Sequence, residues 1–150
     1  MIALLQRVSA AQVAVDGAVT AAIGHGLLVL LGVQAGDTAA DAERLIERVL
    51  DYRVFADATG RMNRSLRDTG GGLLLVPQFT LAADTRKGLR PGFSAAAPPE
   101  RGRELYGHAL AIARSRHAGV EEGRFGAHMQ VSLTNDGPVT FWLQVGPQSG

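Results

Sequence analysis

Two segments of this chain break apolar, strand-like runs with residues that reshape the backbone rather than carry protons. One is Val76-Pro77-Gln78-Phe79-Thr80-Leu81, followed by Ala82-Ala83-Asp84-Thr85-Arg86-Lys87-Gly88. The other is Asn135-Asp136-Gly137-Pro138-Val139-Thr140. A proline inside a strand removes a ladder hydrogen bond, so it marks an edge, an end or a bulge. The amides after it, at Gln78 and Phe79, are then free to point away from a neighbouring strand. Paired backbone N–H groups are what an acyl-transfer site uses to hold a developing oxyanion. Gln78 adds a neutral donor and acceptor. The competing reading is a strand end capped by a polar residue. The second segment, Asn-Asp-Gly-Pro, is turn chemistry in its own right and reads as a hairpin turn between two strands.

Other chemistries find little here. There is no cysteine, so disulfides and thiolates are excluded. His25, His108, His117 and His128 show no zinc spacing. There is no G-x-S-x-G elbow, P-loop or Rossmann glycine pattern. Ser94 lies in a glycine- and proline-rich loop, but no base is identifiable beside it. Arg86, Lys87 and Arg90, with Arg61, Arg64 and Arg67 upstream, are loop cations able to anchor phosphates. The alternative for them is a solvated loop. Net charge is +1, so no global basic field announces nucleic acid.

The elements around these segments are short. Ile2–Val8, Gln12–Val15 and Val19–Ile23 are expected strands, with a turn at Asp16-Gly17. Gly26–Val33 is a continuous apolar run and reads as a strand covered on both faces. Thr38 caps a helix in which Ala42, Leu45, Ile46, Val49 and Leu50 form the buried face. Tyr52–Ala56 reads as a short strand, and residues 57–72 as a loop or loose hairpin. Leu73–Val76 is a central strand. Residues 83–97 form an ordered loop punctuated by Gly88, Pro91 and Gly92. Pro98-Pro99 opens a second helix, with Leu105, Ala109, Ile112 and Ala113 buried and Gly119 as its stop. Val120–Arg124, Met129–Thr134 and Val139–Val145 are strands, and residues 148–150 a frayed tail.

Two amphipathic helices among many short strands predict an α+β fold with mixed, largely antiparallel sheets. With 150 residues the chain is expected to form one domain, residues 1–150. No run approaches the roughly 18 apolar residues of a membrane span, and the expected location is cytoplasmic.

With the opening Met1-Ile2-Ala3-Leu4-Leu5-Gln6-Arg7-Val8, the two segments make the chain resemble the D-aminoacyl-tRNA deacylase family. The resemblance runs from Met1 to about Val145, in order and without gaps. It implies a homodimer that hydrolyses the ester of D-aminoacyl-tRNA, and of glycyl-tRNA, with no metal or organic cofactor. It implies that Gln78, Phe79 and Thr80 are catalytic, through main chain, with the tRNA's 2′-hydroxyl assisting. It implies that Gly137 and Pro138, joined by a cis bond, enter the partner subunit's site and reject L side chains, and that Arg7 steadies them. Arg86, Lys87 and Arg90 are the expected tRNA contacts. One position departs: the family motif Ser-Gln-Phe-Thr has proline here, Pro77. A related branch with Pro-Gln clears mischarged L-alanyl-tRNA, so that substrate is an alternative. A non-catalytic tRNA-binding protein of the same fold is another.

Overall fold

A 14-residue strand, β1 (Ile2–Val15), is the axis of the protein in this computed structural model, which describes residues 1–146. Two strands were expected over this stretch. They are one because neighbours hold its whole length. β3 (Gly26–Gly32) pairs antiparallel with Ile2–Val8, and β2 (Ala18–Ile23) with Ala11–Val15. β8 (Gln130–Gln144) pairs antiparallel along the opposite edge. A register shift between Val8 and Ala10 changes which face the strand presents, so Val8 and Ala11 both bury on one side. The turn into β2 takes Asp16 and Gly17 to φ of 51° and 79°, as a type I′ hairpin requires.

β6 (Gly72–Pro77) lies parallel to β3, and β7 (Val120–Glu122) parallel to β6. Parallel neighbours need crossovers. These are α1 (Ala39–Asp51), between β3 and β6, and α3 (Pro99–Arg116), between β6 and β7. Both helices bury their apolar stripes in one cluster, where Leu45, Ile46, Val49, Leu105 and Ala109 meet Leu5, Val29 and Leu75. α1 starts at the expected capping box, with Thr38 and Asp41 bonded reciprocally. The sheet's other face carries a smaller cluster around Val8, Val13, Leu28, Leu74 and Val76. The fold is α+β, with a mixed and largely antiparallel sheet.

Of the loop or loose hairpin expected over residues 57–72, the hairpin is present: β4 (Phe55–Ala56) pairs antiparallel with β5 (Met62–Arg64). Two corrections apply. The first is a one-turn helix, α2 (Leu66–Thr69), capped by Ser65 and Asp68, where no helix was expected. The Ser65-x-x-Asp68 signal is present in the sequence, but no apolar periodicity follows it. The second correction is the supposed hairpin at Asn135–Val139. Both halves of β8 run antiparallel to β1, so the chain never reverses. Gln6 pairs with Thr140 and Val8 with Asn135, which places three extra residues in a bulge. Pairing with β1 on both sides overrides the local turn preference. The Asn135 side chain bridges the gap: its amide nitrogen donates to Val139 O at 3.1 Å, and Val139 N donates to Asn135 Oδ1 at 3.0 Å. Residues 148–150, expected as a frayed tail, lie outside the described residues. No described helix is long and apolar enough to cross a membrane.

Candidate active site

β6 delivers Pro77 and Gln78 to the end of the sheet. Even-numbered residues of β6 direct their amides to β3, and Gln78 N–H continues that ladder, donating to Leu31 O at 2.8 Å. The expectation that this amide is free is therefore corrected. The next one is different. Phe79 opens one turn of 3-10 helix, Phe79–Ala82, and its N–H has no partner among the described residues. The Gln78 side chain is fixed from the other direction, because Thr80 Oγ1 donates to its Oε1 at 2.7 Å. The Phe79 ring is exposed and sits 5.2 Å from the Phe93 ring.

Pro77, Gln78 and Phe79 edge a cavity of about 610 Å³. Its lining includes Gln6, Leu28, Pro77, Gln78 and Phe79, together with Tyr106, Phe125 and Met129. This volume is within the ordinary range of small-molecule sites. The lining is mainly apolar, as in sites where desolvation strengthens a few aimed donors.

The bulge lies elsewhere. Gly137 and Pro138 are exposed, are joined by a cis bond, and do not line this cavity. Gly137 has a φ of 133°, and a Cβ there would lie 2.7 Å from Val139 Cγ2 and 3.0 Å from Arg7 Nη2. Only glycine fits that backbone and that space. Arg7 stands opposite the bulge on β1. It donates from Nε to Asp136 O at 3.0 Å and from Nη1 to Val54 O at 2.8 Å.

The sequence of residues 4–144 matches the model of the D-Tyr-tRNA(Tyr) deacylase family. The chain belongs to this family. A D-aminoacyl-tRNA deacylase of Thioalkalivibrio sulfidiphilus is 66% identical over 98% of this chain and 99% of its own. One of Xanthomonas campestris is 62% identical over 96% and 99%. A solved structure of a c-Myc DNA unwinding element binding protein superposes with a TM-score of 0.94 at 39% identity, covering 98% of this chain and all of that one. A probable eukaryotic D-amino acid tRNA deacylase shares the fold, with a TM-score of 0.85 at 17% identity over 96% of this chain and 98% of its own.

Within this member of the D-Tyr-tRNA(Tyr) deacylase family the expected tRNA-contacting cations differ in availability. Arg86 is paired with Asp84 at 2.9 Å. Hydrogen bonds from the Arg86 side chain and amide hold the Asp84 carboxyl down at about 2. Arg67 is paired with Glu47 and Asp51. Lys87 and Arg90 are exposed and have no ionic partner among the described residues. Ser94 is exposed and does not line the cavity. Sequence reasoning missed Tyr106, Phe125, His128, Met129 and Gln6 as lining residues. The glycines flanking Phe125, at Gly123 and Gly126, were the available signal that this segment is not plain strand.

Proposed function

We propose that the protein hydrolyses the ester between a D-amino acid, or glycine, and the 3′-terminal ribose of tRNA. Water adds to the carbonyl carbon. The negative charge that develops on the carbonyl oxygen falls to the Phe79 N–H, and collapse expels the ribose oxygen, which takes up a proton. The free amino acid and an uncharged tRNA leave. The unpartnered Phe79 amide at the edge of the cavity carries this reading, because an oxyanion hole needs a donor that is aimed and unspent. Gln78 and Thr80 hold each other and thereby fix the turn that presents it. No side chain is asked to act as nucleophile, and the assisting role falls to the tRNA's own 2′-hydroxyl.

Selection against L side chains is assigned to Gly137 and Pro138 of a second copy. Their absence from the cavity of their own chain supports completion in trans, and Arg7 is the residue that steadies them. A homodimer is further supported by the sheet face where Leu4, Leu30 and Trp142 pair in register. Trp142 on that face is 52% exposed. Lys87 and Arg90, joined by Arg86 when it parts from Asp84, are the proposed grip on tRNA phosphates. A cytoplasmic location fits an enzyme that acts on tRNA.

The deciding experiment compares D-tyrosyl-, glycyl-, L-tyrosyl- and L-alanyl-tRNA as substrates. Rapid release from the first two, with L-tyrosyl-tRNA left intact, is expected. Faster release of L-alanine than of D-tyrosine would assign the protein the rival substrate that Pro77 suggests. Tight binding of tRNA without any release would make it a non-catalytic binder.

A further inference from the structure

We propose that Tyr106 is a positioning residue for the cavity wall: its hydroxyl replaces the backbone donor that Pro77 lacks, and so holds the segment from Gly123 to Met129 against the site. The observation is one of ladder arithmetic. Odd-numbered residues of β6 bond to β7. Leu73 N donates to Gly119 O at 3.0 Å, and Gly123 N donates to Leu75 O at 2.8 Å. A parallel ladder alternates in this way, so its next rung runs from the N–H of residue 77 to Gly123 O. Residue 77 is proline and has no N–H. Gly123 is buried, and a Cβ on it would lie 3.1 Å from Pro77 Cδ, so the ring closes in where the rung would be.

A buried carbonyl without a donor is costly. Gly123 O has one donor among the described residues, the Tyr106 hydroxyl at 3.2 Å, whose single hydrogen is shared with Leu75 O at 2.8 Å, a carbonyl that already accepts from Gly123 N. Tyr106 comes from α3 and is itself buried. Burial pushes its phenol well above the ordinary range, so it stays a neutral donor at any working pH.

The segment that starts at Gly123 supplies Phe125 and Met129 to the cavity. It continues to be held by α3 side chains rather than by strand pairing. The Phe125 ring lies 6.2 Å from that of Tyr106, and the Arg103 guanidinium sits 4.8 Å above it. The wall is thus hung from the helix at the point where the sheet stops.

The test is a double-mutant cycle of Tyr106→Phe and Pro77→Ala, read by amide hydrogen exchange and by kinetics. The kinetic arm rests on the D-aminoacyl-tRNA reading, and the exchange arm does not. Tyr106→Phe alone should raise exchange over residues 123–129 and KM for D-aminoacyl-tRNA, each by roughly ten-fold, with kcat changed far less. In the Pro77→Ala background the restored N–H serves Gly123 O, and the same change should shift both by about two-fold or less. Equal effects in the two backgrounds, or unchanged exchange, would overturn the proposal. If Tyr106→Phe alone does not fold, recovery of folded protein on adding Pro77→Ala supports it, and failure of both overturns it. If the unaltered protein leaves D-aminoacyl-tRNA intact, the functional reading fails, while the exchange cycle still decides the role of Tyr106.

Discussion

Arg7 and Asp136 are joined through the main chain: Arg7 Nε donates to Asp136 O at 3.0 Å, while the same guanidinium reaches Val54 O at 2.8 Å. One side chain thereby ties the bulge of β8 to the segment leading into β4. A lysine carries the same charge but cannot present two fixed donors to two carbonyls. Arg7→Lys and Arg7→Ala should both lower kcat/KM for D-aminoacyl-tRNA by about ten-fold or more, at a stability cost of about 1–2 kcal/mol. If the lysine variant matches the unaltered enzyme, charge suffices and the two-carbonyl grip is irrelevant.

Phe79 separates main chain from side chain. Phe79→Pro deletes the unpartnered N–H at the first position of a helical turn, where proline is tolerated. Its kcat should fall about 100- to 1000-fold, as for loss of one oxyanion donor. Phe79→Ala keeps the amide and should retain most of kcat, and so should Ser94→Ala. A covalent aminoacyl adduct on any side chain, seen by mass spectrometry of the working enzyme, would sink the main-chain mechanism.

Lys87 and Arg90 should act on phosphate rather than on the ester. Replacing either by alanine should weaken binding of charged and uncharged tRNA alike and reduce the slope of log K against log salt by about 1. Arg86→Ala should do less at low salt, because Asp84 already occupies that cation. A change in kcat with the salt slope intact would place these residues in the chemistry instead.

Asp41 sets an acid limit on stability. Burial alone would raise its carboxyl, but the Thr38 amide, the Arg44 guanidinium and the Thr38 hydroxyl hold it, and the net shift is downward. A group lowered in the folded state contributes stability above its unfolded value of about 4, and loses that contribution as pH falls through the folded value. Asp41→Asn should therefore cost about 1 kcal/mol at pH 7 and flatten the stability curve below about pH 4. Parallel curves for the two proteins, followed by denaturant unfolding from pH 7 to pH 2, would contradict this.

The sequence carried the long helices and the central strands clearly, because Leu45, Ile46 and Val49 repeat at helical spacing and Gly26–Val33 is uniformly apolar. It carried α2 only as a cap, since a single turn has too few residues to show a period. At Asn135–Val139 local chemistry pointed to a reversal, and only pairing of both flanks with β1 makes it a bulge. The site divided in the same way. Pro77 stands out as a break in a strand, while the roles of Gln78, Phe79 and Arg7 were legible only through the family resemblance. Which of the two amides is unspent depends on which edge of β6 faces β3, a fact of register that no single segment contains. Tyr106 and Phe125 were silent because an aromatic on a helix face or at a strand end reads as core.

The pairing of β1 with β8 also bears on how the molecule comes into being on the ribosome. β1 is made well before β8, and Ile2 pairs with Gln144. Until β8 emerges, one long edge of β1 has no strand to pair with and offers a row of open backbone groups. Such distant pairing makes folding slow relative to helical proteins of the same size. The nascent chain therefore waits with β1 half-bonded until β8 has been made. That is the interval in which a second unfinished copy could bind the same edge, and in which a chaperone has most to protect.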